Sequence, residues 1–310
     1  MSDRATMVEL EGLTRRFGDR VAVDALTLTV QRGELFGLVG PDGAGKTTTL
    51  RMLAGVLRPS AGDARLDGVS VAREPERVKH AIAYMSQRFG LYADLTVAEN
   101  LEFYAGLYRV PRAALAARLE RLYHFSALRP FQKRLAGQLS GGMKQKLALS
   151  CCLVHEPVIL LLDEPTFGVD PISRRDLWLI VHEMVARGTT VVVSTSYLDE
   201  AERFDRLVLL HHGRPLAIDT ALALQRGMRS AVLAIPVDRV REARVAAERI
   251  PGVLRASVFG DRLHLSAEPG RDDAEAIAGA LRAAGFTVGE ARRIVPTLED
   301  VFIERIAGAA

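Results

Sequence analysis

Gly40-Pro41-Asp42-Gly43-Ala44-Gly45-Lys46-Thr47 is the stretch whose reading decides the fold. It matches G-x-x-x-x-G-K-[ST], the pattern of a phosphate-binding loop, and its flanks supply the context that pattern needs. Glu34-Leu35-Phe36-Gly37-Leu38-Val39 before it reads as a buried strand, and Thr48-Thr49-Leu50-Arg51-Met52-Leu53 after it as the start of a helix. Glycines let successive backbone N–H groups curl toward one anion, and the helix N-terminus adds partial positive charge. Lys46 would reach the outer phosphates of a nucleotide, and the Thr47 hydroxyl would ligate Mg²⁺.

The rest of the composition fits a large soluble protein. At 310 residues the chain is long enough for about two domains. Its hydrophobic content of 48% supports a sizeable core. The net charge of +3 is too balanced to argue for a nucleic-acid partner. Cys151 and Cys152 are adjacent in an apolar stretch, which suits neither a disulfide framework nor a metal site and fits a reducing compartment. No run approaches the roughly 18 apolar residues a membrane span needs. Met1-Ser2-Asp3-Arg4-Ala5-Thr6 lacks a signal-peptide core. The expectation is a soluble protein that reaches any membrane through a partner.

Met7–Glu11 and Leu26–Val30 read as short strands. Leu91 to Leu128 is mostly helical, with Thr96 as a cap and Pro111 and Pro130 as punctuation. Val158-Ile159-Leu160-Leu161-Leu162 and Thr190-Val191-Val192-Val193-Ser194 read as parallel strands buried on both faces. Arg206–Leu210 and Pro215–Ile218 read as a hairpin. Composition shifts near Gln225, placing one domain at 1–224 and a second at 225–310. The second reads strand Ala231–Val237, helix Val240–Arg249, strand Val253–Phe259, strand Arg262–Ala267, helix Asp272–Ala284, strand Phe286–Ile294 and a final helix Leu298–Ile306. A β-α-β-β-α-β order of this kind suggests a small ferredoxin-like α+β module.

Two further stretches carry chemistry. Leu160-Leu161-Leu162-Asp163-Glu164 delivers carboxylates to the C-terminal edge of a buried strand, where ligands of open α/β sheets bind. Asp163 would hold Mg²⁺ directly or through water, and Glu164 would polarise an attacking water. In Leu139-Ser140-Gly141-Gly142-Met143, Ser140 caps a helix, and Gly141 and Gly142 let backbone N–H groups approach phosphate.

With these motifs in this order, the chain resembles the nucleotide-binding subunit of ATP-binding cassette (ABC) transporters over roughly Val8 to Thr220. Met143 replaces the Gln usual in the family's LSGGQ signature. The resemblance implies an α/β P-loop NTPase cassette with a RecA-like core, an antiparallel β subdomain and a helical subdomain. It also implies ATP and Mg²⁺ as ligands. ATP would rest on Gly40, Pro41, Asp42, Gly43, Ala44, Gly45, Lys46, Thr47 and Thr48. Ser140, Gly141 and Gly142 would bind the γ-phosphate held on an opposite cassette. Gln87 matches the Q-loop glutamine that senses Mg²⁺ and the membrane partner. Gly168-Val169-Asp170-Pro171 matches the D-loop, which crosses the dimer interface. Phe17 occupies the adenine-stacking position, although a lone Phe is also a common core residue. Asp42 stands for the common Asn at a variable position.

One departure concerns catalysis. The family's switch histidine follows the last buried strand, and here Ser196 takes its place. Serine is shorter and carries no charge, so the site built on this chain's own loop would hydrolyse slowly. His211 and His212 come too late to substitute. A heterodimer with a cassette that keeps the histidine is favoured over a homodimer. Leu91–Leu101 and Pro296-Thr297-Leu298-Glu299-Asp300-Val301-Phe302 resemble segments of exporter ATPases of the multidrug and daunorubicin-resistance type. An integral-membrane permease would then be the partner, contacted near Gln87, with Phe89, Leu91 and Tyr92 lining the groove or serving as core. The protein would sit peripherally on the cytoplasmic face of the membrane. A regulatory cassette with little hydrolysis, or a soluble cassette outside transport, are the alternatives.

Overall fold

The structure is a computed structural model that describes residues 5–309. Residues 1–4, which begin the stretch read as lacking a signal-peptide core, lie outside the described residues. The chain divides into two units, Met1–Pro215 and Leu216–Ala310. The division falls within the strand Arg214–Asp219 rather than at 224/225.

The first unit is built on a parallel sheet. Its strands run in the spatial order Arg206–His211, Leu35–Val39, Thr190–Thr195, Ile159–Asp163, Ile82–Met85. Every residue of Leu35–Val39 and of Ile159–Asp163 is buried, as the continuous apolar runs require. Each fully buried Leu, Ile or Val contributes about 1.5–3 kcal/mol. Pairing is in register at the functional edge: Asp163 lies opposite Ser194, Val39 opposite Thr195, and Met85 opposite Leu162. The phosphate loop, the Asp163-Glu164 pair, Gln87 and Ser196 therefore all leave the sheet at the same end.

A separate antiparallel sheet pairs Thr6–Phe17 with Arg20–Gln31 and with Ala61–Leu66. Both members of the hairpin run longer than the short strands expected, because register shifts around Gly12 and Ala25 let the ladder continue past irregularities. The helical segment splits into Val97–Leu107 and Arg112–Ser126. Thr96 caps the first as expected: its hydroxyl accepts from the Glu99 N–H, and the Glu99 carboxylate accepts from the Thr96 N–H at 2.7 Å. Arg109 at φ 53° and Pro111 end it. Cys151 and Cys152 are buried free thiols, and burial pushes both of their pKa values up.

Glu200 is the buried hub of this unit, with 1% of its surface exposed. Its carboxylate accepts from Thr166 Oγ1 and Thr195 Oγ1, each at 2.7 Å, and from Trp178 Nε1 at 3.3 Å. Arg174 Nε lies 3.8 Å away. The carboxylate thus ties the loop after Glu164 to the end of the strand that precedes Ser196.

Between the flanking helices Ala221–Arg226 and Leu298–Ala309, the second unit runs β-α-β-β-α-β, with an antiparallel sheet arranged Val253–Phe259, Arg262–Ala267, Ala231–Pro236, Arg292–Ile294. That is the ferredoxin-like arrangement. Helices Val240–Ala247 and Ala274–Ala283 cover one face over a core containing Leu233, Ile235, Leu263, Leu265, Ile277 and Leu281. The last strand is shorter than the expected Phe286–Ile294. Asp238 exchanges hydrogen bonds with Thr287, and Gly289 donates to the Pro236 carbonyl, so residues 286–291 are held outside the regular ladder. On the strand Arg262–Ala267, buried His264 places Nδ1 3.3 Å from both carboxylate oxygens of Asp300, which also accepts from Thr297. Burial opposes ionisation of Asp300, but the hydrogen bonds from His264 and Thr297 outweigh it and hold the carboxyl below its ordinary range.

Two stability predictions follow from these buried carboxylates. Glu200→Ala leaves Thr166, Thr195 and Trp178 without their acceptor and Arg174 without its nearby countercharge, and urea unfolding should show the chain destabilised by about 3 kcal/mol. Asp300 has a folded pKa below its unfolded value, so its contribution is complete above about pH 5 and is lost as pH falls below roughly 4. Circular-dichroism melts across that range should show a loss of stability that Asp300→Asn largely removes.

Candidate nucleotide site

The loop 40–45 delivers its glycines into the N-terminus of helix Lys46–Leu53. Gly45 caps that helix at φ 100°, and a Cβ there would fall 2.5 Å from the Ala22 carbonyl oxygen, so conformation and space both demand glycine. Around the loop lies a cleft of about 370 Å³. Phe17, Arg20, Ala22, Asp42, Gly43, Ala44, Gly45, Lys46, Thr47, Thr48, Gln87 and Glu164 line it. Phe17 is 47% exposed at the rim, with the Arg15 guanidinium 4.5 Å over its ring, so it is not a core residue.

The ionisable groups converge under the loop. Lys46 Nζ donates to the carbonyls of Gly40 at 2.7 Å and Pro41 at 3.1 Å, and stands 3.2 Å from a Glu164 carboxylate oxygen. The other Glu164 oxygen accepts from Gln87 Nε2 at 3.1 Å. Glu164 adopts φ 49°, a left-handed conformation that costs a non-glycine residue about 1–3 kcal/mol. Its N–H is tied to Ser194 by bonds to the backbone oxygen at 3.1 Å and to Oγ at 3.0 Å, which holds the strained turn.

Asp163 is 1% exposed and gripped by hydroxyls. Thr47 Oγ1 donates to Oδ1 at 2.9 Å, Ser194 Oγ to the same oxygen at 2.7 Å, and Tyr84 to Oδ2 at 3.2 Å. Burial and the neighbouring Asp163 charge push the Tyr84 phenol up to about 12, against the opposing effect of Arg51. The phenol therefore stays a donor. Among the described residues, no cluster of His, Cys, Asp and Glu forms a self-contained metal site. Thr47, Asp163 and Gln87 instead present hard oxygen donors beside a phosphate-binding loop. That donor set suits Mg²⁺, which keeps waters and relies on one or two carboxylates plus substrate phosphates.

Ser140, Gly141, Gly142 and Asp170 do not line this cleft. Ser140 caps helix Gly141–Leu153, accepting from the Met143 N–H at 3.3 Å. Asp170 caps helix Pro171–Ala186, and hydrogen bonds from Ser173 hold its carboxyl below the usual range. Gly141 is open, whereas a Cβ on Gly142 would fall 2.2 Å from Ser173 Oγ. Packing against the Asp170 turn therefore requires glycine at 142, a reason that phosphate approach alone does not supply. Ser196 is half-buried on the bend beyond strand Thr190–Thr195 and is likewise outside the cleft lining.

Sequence reasoning missed Arg20, Ala22, Tyr84 and Ser194. Arg20 shares the hairpin turn of Phe17, and Ser194 is the polar residue that ends a run of valines. Both signals were present, but only the strand register shows that they face the loop.

The sequence model of the ABC transporter family matches residues 23–167. Over 309 residues the chain is 44% identical to the "Probable multidrug ABC transporter ATP-binding protein YbhF" of Escherichia coli K12, covering 98% of this chain and 52% of that protein. It thus spans about half the length of that relative. It is 35% identical over 302 residues to the "Daunorubicin resistance ATP-binding protein DrrA3" of Streptomyces coeruleorubidus, covering 96% and 95% of the two chains. A solved "Structure of ATP binding subunit of ABC transporter" aligns with a TM-score of 0.66 at 32% identity, over 71% of this chain and 92% of that one. A phosphate loop, an acidic strand end and a capped Ser-Gly-Gly helix on this fold, with these relatives, place the chain among the ATP-binding proteins of ABC transporters.

Proposed function

We propose that this chain binds ATP with Mg²⁺ in the cleft under residues 40–48 and hydrolyses it to ADP and phosphate to drive an exporter. The convergence of Lys46, Gln87 and Glu164 on one point, beside Thr47 and Asp163, carries the proposal. Backbone N–H groups of the loop and the helix N-terminus receive the phosphates. Lys46 exchanges its carbonyl partners for phosphate oxygens. Bound Mg²⁺ would be held through Thr47, Asp163 and Gln87 and would supply neutralisation of the phosphate charge. Glu164, poised at the strand end and contacted by Gln87, orients and deprotonates the attacking water. Phe17 stacks on the adenine at the rim.

One relative is named as a probable multidrug ABC transporter protein and another as a daunorubicin resistance protein, which supports export as the direction of transport. Among the described residues no helix is long and apolar enough to cross a membrane. An integral-membrane permease would therefore carry the cargo, with this chain on its cytoplasmic face. Ser140, Gly141, Gly142 and Asp170 lie outside the chain's own cleft, which supports their use on a second cassette's nucleotide. Ser196 favours a heterodimer in which that second cassette supplies the faster site. It also sustains a second reading, a regulatory cassette that binds nucleotide and turns over little.

Steady-state ATP hydrolysis separates these. Glu164→Gln should lower turnover by roughly 10²-fold or more while nucleotide still binds. If turnover is unaffected, Glu164 is not the base. Ser196→His should raise turnover about tenfold, a change of ~1.4 kcal/mol in the barrier. An unchanged rate would remove the basis for a slow site.

A further inference from the structure

Asp163 has three hydroxyl partners, and two of them come from the strands on either side of its own, neither of which holds any of the loop's motif residues. Thr47 and Ser194 both donate to Oδ1, whereas Tyr84 reaches Oδ2 from strand Ile82–Met85. The Tyr84 phenol O–H is the donor of its bond, and the Asp163 carboxylate oxygen accepts. Without Tyr84, both remaining donors would hold one carboxylate oxygen and leave the other free of a protein donor.

We propose that Tyr84 is a positioning residue for the metal site: it fixes the rotation of the Asp163 carboxylate and so sets how tightly the nucleotide site takes Mg²⁺. The proposal rests on the nucleotide site described above. Tyr84 does not itself ligate the metal. It acts from the second layer, where partners of ligating carboxylates typically change metal affinity by 10–100-fold. Tyr84 also lies three residues before Gln87, and it is paired in register with Leu161, two residues before Asp163. A shift of its strand against the Asp163 strand would therefore be felt at Oδ2 and at Gln87 together.

The test is Tyr84→Phe in the full chain, which keeps the ring and removes only the hydroxyl. Binding of a fluorescent N-methylanthraniloyl ATP is titrated with Mg²⁺ and separately measured in EDTA. The expected result is unchanged affinity in EDTA, with the Mg²⁺ concentration for half-maximal tightening raised about tenfold. Superimposable Mg²⁺ titrations overturn the proposal. So does an equal loss of affinity in EDTA and in Mg²⁺, which marks general damage to the cleft. If the unaltered chain shows no Mg²⁺-dependent nucleotide binding, the functional reading itself fails, and this one with it. Thermal melts of both proteins run alongside, and a large drop for Tyr84→Phe would assign the hydroxyl to stability instead.

Discussion

Everything at the candidate site depends on parallel strand register. Because Val39 pairs with Thr195 and Asp163 with Ser194, three chain segments far apart in sequence turn off the sheet at one level. Side chains in a strand alternate faces, so a slip of one residue would invert every one of them. Full burial of Leu35–Val39 and Ile159–Asp163 prevents that slip, since an offset would leave apolar side chains badly packed on both faces. The hydrophobic effect thus does its functional work indirectly. It carries no chemistry itself, yet it sets the distance between Lys46 and Glu164.

The site also stores a local cost. Glu164 sits in a left-handed conformation that its side chain disfavours, and Ser194 clamps its N–H from two atoms. The same Ser194 hydroxyl donates to Asp163. One serine therefore secures both the turn that presents Glu164 and the carboxylate beside Thr47. An apolar residue there would satisfy the strand pattern equally well, so the hydroxyl's two partners, the Glu164 N–H and the Asp163 carboxylate, explain a serine where the strand does not.

What the sequence made legible follows this division. Glycine spacing, the Lys46-Thr47 pair and the acidic end of an apolar run are local patterns, and each implies its geometry within a few residues. The Thr96–Glu99 cap is local too, and it forms as read. Long-range hydroxyl contacts were not legible. Tyr84 and Ser194 look like ordinary strand residues, and Glu200 like a surface carboxylate in Asp199-Glu200-Ala201-Glu202, until the fold brings Thr166, Thr195 and Trp178 around it. The final strand of the second unit was overread for a different reason. Its residues carry strand-like character, but Pro236 offers no N–H to a neighbour, and Asp238 takes the Thr287 N–H that a ladder would use.

Gly142 shows how one residue can answer two demands. Its absent side chain is required by Ser173, whose Cβ would lie 2.4 Å from an added Cβ and whose backbone N–H is capped by Asp170. Ser140 and Asp170 are thus held by a single packed turn, although 30 positions separate them in sequence. Two exposed motifs fixed to each other in this way cannot be displaced independently, because any movement of the Ser140 helix N-terminus must carry the Asp170 turn or open the Gly142–Ser173 contact. Protein packing is stiff on that scale. A ligand engaging Ser140 would therefore shift Asp170 with it, and the reverse, without any further device in the chain.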